Sequence, residues 1–215
     1  MGADQRIADE PSPRRVLSSE RVYNGRIWDV VSDTFELSDG GDRLTRDYIG
    51  HPGAVAVLPL NEAGEVLLLK QYRHPVQMTL WEIPAGLLDV EGEDFVAGAA
   101  RELAEEADLV AEQWNVLADL FNSPGSSSEA IRIYLARGLS EVPEAERHER
   151  TEEEAEIEHR WVPLEEAVRA VLDGRLHNPS AVVGVLALQA ARAEGFASLR
   201  PADAEWSAHP GQRGQ

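Results

Sequence analysis

The chain has 215 residues, of which 43% are hydrophobic, and a formal net charge of −19 at pH 7. That hydrophobic content suffices for a folded core, so the sequence predicts one domain of ordinary size with an appended layer. The negative charge repels nucleic acid and anionic membrane surfaces, which excludes both as partners. It also repels phosphorylated small molecules unless a bound cation reverses the local sign.

Location is predicted from what the sequence lacks. No apolar run approaches the roughly 18 residues that a membrane-spanning helix needs, and residues 1–15 are polar, without a hydrophobic leader. Cysteine is absent, which excludes disulfides and thiolate metal ligands together. We therefore expect a cytoplasmic protein without a membrane partner.

Residues 1–50 are predicted to form a lead followed by a separate antiparallel β element. The first 20 residues, with their prolines and paired arginines, have the composition of a flexible lead. Strand-like patterns follow at residues 27–31, 34–37 and 45–49, with a turn rich in glycine and aspartate before the last of them.

Residues 51–196 carry the pattern of a mixed sheet with helices on its faces, which indicates the α+β class. Short apolar runs predict strands at residues 54–58, 66–69, 114–121, 131–137 and 160–162. Helical spacing predicts helices at residues 94–107, 164–173 and 179–194. The small and polar residues 197–215 are predicted to form a flexible tail.

The helix predicted over residues 94–107 carries three glutamates on one face. Glu102, Glu105 and Glu106 stand at positions i, i+3 and i+4, where like charges repel by about 0.2–0.5 kcal/mol per pair. A divalent cation with oxygen ligands would relieve that repulsion, so the spacing favours a metal site. A plain solvated acidic face is the alternative.

With Gly86, Glu93 and Arg101, these glutamates resemble the Nudix box. The pattern of that family is a glycine, five residues, a glutamate, seven residues, and then Arg-Glu-aliphatic-x-Glu-Glu-x-Gly-aliphatic. The seven-residue gap from Glu93 to Arg101 is present, and residues 101–106 match in full. The resemblance extends over about residues 25–195 and implies a Nudix-type α/β/α sandwich.

Two positions depart from the family pattern. Six residues, not five, separate Gly86 from Glu93, and Asp108 replaces the glycine that closes the helix. The residue after a helix often has a positive φ, which Asp tolerates better than most residues. We expect activity to survive both changes, and Asp108→Gly to leave activity unchanged or to raise stability.

Flanking residues are similar to those of ADP-ribose pyrophosphatases within the family. The matching segments are residues 25–30, 51–55, 71–73 and 81–86, together with Pro124 after the box. This resemblance implies a small nucleoside diphosphate substrate, and hydrolysis of ADP-ribose to AMP and ribose 5-phosphate.

The resemblance also implies the ligands of the metal. Mg²⁺ is expected, with Mn²⁺ as an alternative, because a carboxylate face without cysteine suits a hard cation. The implied ligands are Glu102 and Glu106, Glu105 as a bridging or neighbouring catalytic residue, and the backbone carbonyl of Ala85. Arg101 and Glu93 are expected to be scaffolding, with an ion pair from Arg101 to Glu105.

The general base is implied to be a glutamate on a loop after the box. Residues 152–156 occupy that place, and we favour Glu154, followed by Glu153. A run of charged residues that is merely solvated is the alternative.

Four further residues are candidates for substrate binding. Trp28 is expected to stack on adenine, or else to be a core tryptophan in a strand. Arg73 is expected to bind phosphate as a fork donor, with a surface ion pair as the alternative. Glu82 is expected to accept from ribose hydroxyls or the adenine amino group, unless its role is structural. Arg46 is expected to contact phosphate or a second subunit.

In the resembled enzymes, the amino-terminal β element crosses to a partner subunit, so a homodimer is expected. Two alternative functions stay open at this point. One is hydrolysis of another nucleoside diphosphate sugar, such as GDP-mannose. The other is a catalytically silent Nudix domain that senses a nucleotide metabolite, against which the complete set of box glutamates argues.

Overall fold

A computed structural model describes residues 7–150 and 157–212 of the chain. Two compact units are present. Of the described residues, 7–51, 123–128 and 206–212 belong to the first unit, and 52–122, 129–150 and 157–205 belong to the second.

The first unit contains an antiparallel sheet of three strands in the order β1-β2-β3. These strands are β1 Val16–Asn24, β2 Asp29–Glu36 and β3 Arg43–Gly50. Strand β1 therefore begins inside the predicted lead. All nine of its residues are exposed, so no alternation of apolar and polar residues marks it in the sequence. Pairing with β2, rather than burial, defines this strand.

The second unit contains two sheets and three helices. Its strands are β4 Ala54–Pro59, β5 Glu65–Arg73, β6 Met78–Glu82, β7 Ala85–Leu87, β8 Leu109–Phe121, β9 Ala130–Glu141, β10 Glu158–Pro163 and β11 Arg200–Pro201. Its helices are α1 Phe95–Ala107, α2 Leu164–Leu172 and α3 Pro179–Ala193. One sheet has the order β11-β8-β9-β4-β7 and is mixed, because β4 and β9 are parallel. The other has the order β10-β5-β6.

Strand β4 divides the core into two layers. Val55 and Val57 are fully buried in a cluster with Ala99 and Leu103 of α1. The alternate residues of β4, such as Leu58, lie in a second cluster with residues of α2 and α3. Helices therefore cover both faces of the mixed sheet, which confirms the predicted α+β class and the α/β/α layering. In the described ranges, no helix has the length and apolar character needed to cross a membrane.

Helix α1 begins and ends where the sequence predicts. Asp94 is the N-cap residue, and its side chain accepts a hydrogen bond from the Val96 N–H at 2.9 Å. Asp108 is the C-cap residue and has a φ of 54°, in the left-handed region. Its backbone N–H donates to the carbonyls of Leu103 and Ala104.

The C-terminal segment differs from the predicted flexible tail. Arg200 and Pro201 pair with β8, and the following alanines pack on the core cluster of α1. Arg132, which is 1% exposed, donates to the carbonyls of Ala204 at 2.6 Å and Glu205 at 3.3 Å. The segment is ordered because the buried Arg132 guanidinium binds its backbone carbonyls. Every residue has a carbonyl, so no sequence pattern indicates this contact.

Candidate active site

Helix α1 presents the three box glutamates at different depths. Glu102 and Glu106, one turn apart, are only 9% and 8% exposed. The Glu105 side chain is more open, at 35%. A buried carboxylate is costly unless charge or hydrogen bonds compensate it, so the partners of these residues decide what the face can do.

Arg101 gathers three carboxylates around one guanidinium. It contacts Glu93 at 3.1 Å, Glu102 at 2.5 Å and Glu105 at 3.2 Å. The hydrogen bond to Glu93, with the negative charge of Glu102, raises the pKa of Arg101 above its ordinary value even though burial lowers it. The guanidinium therefore stays charged. The predicted ion pair between Arg101 and Glu105 is present.

Strand β7 lies against the carboxylates of α1. The Ala85 N–H donates to Glu106 Oε2 at 2.8 Å. A Cβ atom on Gly86 would overlap the carboxylate of Glu102, so any other residue there would force that flexible side chain to move. The structure thus places Glu106 on Ala85 and Glu102 beside Gly86, and it joins Glu102 and Glu105 through Arg101.

These residues fit a divalent metal ion by their chemistry. Their donor atoms are carboxylate and carbonyl oxygens, which Mg²⁺ and Mn²⁺ prefer. A carboxylate has about four lone-pair sites, so accepting one N–H bond does not exhaust its acceptor capacity. Within residues 7–150 and 157–212, no three acidic or histidine side chains already converge as a ligand set. Metal binding here would therefore use the carboxylate lone pairs that Arg101 and the Ala85 N–H leave available.

Positive φ angles accommodate both departures from the family box. The loop with the extra residue closes in a tight turn in which the Glu93 N–H donates to the Val90 carbonyl at 3.2 Å. Gly92 within that turn has a φ of 79°. Asp108 has the left-handed conformation that the sequence predicted for the residue after the helix. Neither departure removes a box glutamate.

The family model described as the NUDIX domain matches residues 50–182, more than half of the chain. The chain belongs to the Nudix family. Among curated proteins, this Nudix protein is 45% identical to an ADP-ribose pyrophosphatase from Mycobacterium tuberculosis, over 90% of this chain and 91% of the relative. It is 34% identical to a methanol dehydrogenase activator from Bacillus methanolicus, over 81% of this chain and 92% of the relative.

A solved structure supports the fold. The crystal structure of an ADP compounds hydrolase matches with a TM-score of 0.71, over 87% of this chain and 99% of that chain. The sequence identity is 20%, so this likeness concerns the Nudix fold alone.

Two candidate substrate residues of this Nudix protein bind each other. Arg73 donates to Glu82 through Nε at 2.9 Å and through Nη2 at 2.7 Å, which is a bidentate pair. The Glu82 side chain is 5% exposed, whereas that of Arg73 is 42% exposed. This contact is what we expect if Arg73 forms an ion pair instead of binding phosphate, and if the role of Glu82 is structural. The pair uses two of the five N–H donors of the guanidinium.

The other two candidates belong to the first unit. Trp28 lies in the turn between β1 and β2 and is 37% exposed, so it is not a core tryptophan in a strand. Its ring stacks on His51, with centroids 4.4 Å apart and planes 20° apart. Arg46 is exposed on β3, and its Nη1 donates to the Thr45 carbonyl at 2.8 Å.

The two candidates for the general base, Glu153 and Glu154, lie outside the described residues. Sequence reasoning also missed three residues that contact the candidates. His51 stacks on Trp28, while Arg150 and His159 bind the C-terminal end of α1. Arg150 lies two residues before the glutamates that begin at position 152, which is the one signal that the sequence offered.

Proposed function

We propose that this Nudix protein hydrolyses the diphosphate of ADP-ribose to AMP and ribose 5-phosphate. The observation that carries the proposal is the carboxylate face of α1, packed on the backbone of β7 in a chain 45% identical to an ADP-ribose pyrophosphatase. The high coverage on both sides, 90% and 91%, means that the likeness includes the segments flanking the box.

Glu102, Glu106, Glu105 and the carbonyl of Ala85 would hold the metal ion, with Mg²⁺ favoured and Mn²⁺ as the alternative. The bound cation would neutralise the diphosphate, orient it and lower the pKa of a bound water. The protein contributes a fixed arrangement of oxygens. Arg101 fixes the carboxylates of Glu102 and Glu105, and the Ala85 N–H fixes that of Glu106.

We assign the activation of water to Glu154, followed by Glu153, on the family resemblance. Glu154→Gln should reduce turnover strongly, since general acid–base catalysis typically contributes 10²–10⁴-fold. Glu153→Gln is the matched control one residue away. If Glu153→Gln loses turnover and Glu154→Gln keeps it, the assignment moves by one residue.

Substrate contacts complete the proposal. Trp28 would stack on adenine, which its exposure in a turn supports. Arg73 would bind a phosphate, with Glu82 fixing its guanidinium, and Glu82 would also accept from the nucleoside. Arg46 would contact phosphate or a second subunit. A double substitution of Arg73 and Glu82 to Gln and a single Trp28→Ala should each raise KM more than they lower kcat.

A substrate panel tests the proposal. Product release would be measured with Mg²⁺ from ADP-ribose, GDP-mannose and other nucleoside diphosphate sugars. We expect ADP-ribose to give the highest kcat/KM, with AMP as a product. Preferential turnover of GDP-mannose would indicate that GDP-mannose, not ADP-ribose, is the substrate. Tight ADP-ribose binding without turnover of any compound would indicate a sensor.

A cytoplasmic location stays a prediction. We also propose a homodimer formed through the amino-terminal sheet. Support for the dimer comes from large apolar side chains that this unit exposes. Val22 is 52% exposed, Tyr23 64% and Ile27 69%. Exposed apolar side chains of this size favour burial against another protein surface.

A further inference from the structure

The C-terminal turn of α1 is capped by residues distant in sequence. The last carbonyls of a helix have no partner within the helix. In α1, the Asp108 N–H serves Ala104, Arg150 Nε donates to the Glu105 carbonyl at 2.9 Å, and His159 Nε2 lies 2.6 Å from the Glu106 carbonyl. Because a carbonyl only accepts, His159 Nε2 carries the donated proton.

Asp108 joins this arrangement through its side chain. Its Oδ2 lies 2.7 Å from Arg150 Nη2, and the two side chains are 20% and 19% exposed. The glycine of the family pattern could not make this contact. Arg150 therefore bridges the backbone of α1 and the residue that ends the helix, and its positive charge lies at the negative end of the helix dipole.

The two carbonyls concerned belong to the residues proposed to bind metal. Glu105 and Glu106 are fixed at their backbones by Arg150 and His159, while their side chains contact Arg101 and the Ala85 N–H. A ligand held at both ends loses less freedom when it coordinates a cation, so its affinity for the cation is higher.

We propose that Asp108, Arg150 and His159 form a helix-end clamp that positions Glu105 and Glu106 for metal binding. The clamp rests on the proposed assignment of the metal ligands. It gives the aspartate at position 108 a role that a glycine lacks. The sequence alone predicts that Asp108→Gly leaves activity unchanged or raises stability, whereas the ion pair with Arg150 leads us to expect weaker metal binding.

Direct measurement of Mn²⁺ binding tests the clamp. The free Mn²⁺ signal in electron paramagnetic resonance would be titrated with the full-length protein and its variants. Arg150→Gln, Asp108→Asn and His159→Ala should each weaken Mn²⁺ binding by about tenfold, as losses of groups that orient ligands do. Asn at position 108 keeps the tolerance for positive φ and removes only the charge.

Arg147→Gln is the matched control, since Arg147 pairs with exposed Glu141 and does not contact α1 in the described structure. The double variant Asp108→Asn/Arg150→Gln should bind Mn²⁺ no more weakly than Arg150→Gln alone, because the pair acts as a unit. Melting temperatures would be measured alongside. If Arg150→Gln fails to fold, Asp108→Asn and His159→Ala decide.

Three outcomes overturn the proposal, and the third also rejects the assignment of the metal ligands. If the clamp variants bind Mn²⁺ as tightly as Arg147→Gln does, the clamp proposal is rejected. Additive losses in the double variant remove the coupling between Asp108 and Arg150. If Glu106→Gln binds Mn²⁺ like the wild type, Glu106 is not a metal ligand, and the metal assignment and the clamp are both rejected. If Glu106→Gln is the only variant that loses Mn²⁺ binding, the metal assignment stands and the clamp is rejected.

Discussion

Glu106 is fixed more firmly than Glu105. Its side chain accepts from the Ala85 N–H, its carbonyl accepts from His159, and it is 8% exposed. Glu105 is the opposite case, with a side chain 35% exposed that contacts Arg101 alone among the described ion pairs. A buried, fixed carboxylate suits a permanent ligand, and an open one suits a ligand or catalytic group that moves with the substrate.

Gly86→Ala should disable the site without unfolding the protein. Its Cβ would displace the Glu102 carboxylate, and misplacement of a ligand by about 1 Å can cost on the order of 10²-fold in rate. Gly125→Ala is the control, because a Cβ there meets nothing within 4 Å. The check is kcat for ADP-ribose hydrolysis beside the melting temperature. Equal activity of the two variants would mean that Glu102 tolerates displacement.

At the scale of elements, the sequence predicted what depends on local spacing. The apolar stripe and the Asp94 cap define α1, and the carboxylate face follows from residues within one turn of each other. Strand β7 escaped prediction because it has three residues, too few to show a period. The contacts of Arg73 with Glu82 and of Arg150 with α1 join distant parts of the chain, where no local pattern indicates them.

The C-terminal segment gives a prediction at this scale. Arg132 and Arg200 both bind Asp119, but the Arg132 side chain is 1% exposed and that of Arg200 is 43% exposed. Arg132→Met should therefore lower the free energy of unfolding by about 3 kcal/mol, because the carbonyls of Ala204 and Glu205 lose their buried donor and Asp119 keeps only Arg200. Arg200→Met should cost about 0.5 kcal/mol, as surface ion pairs do.

Urea unfolding followed by tryptophan fluorescence measures both values. Similar losses for the two variants would mean that burial does not distinguish these ion pairs, and that Arg132 does not hold the C-terminal segment on the sheet.

At the scale of the whole molecule, the exposed apolar residues of the amino-terminal sheet predict self-association. The double variant Val22→Lys/Tyr23→Lys should sediment as a monomer at micromolar concentration, whereas the wild type sediments as a dimer, because charge replaces the surface to be buried. Leu172→Lys is the control, since Leu172 is 73% exposed on α2 in the other unit. A monomeric wild type would reject the dimer.

We propose that the glutamate face of α1 holds the cation for diphosphate hydrolysis. The most direct test is the rate of AMP release from ADP-ribose by Glu106→Gln with saturating Mg²⁺. Gln can still accept from the Ala85 N–H, so the fold is kept while the charge is lost. We expect a loss of about 10²-fold or more, with Glu141→Gln unchanged because Glu141 is 79% exposed at its side chain. Near-wild-type turnover by Glu106→Gln would mean that the glutamate face of α1 does not hold the catalytic cation.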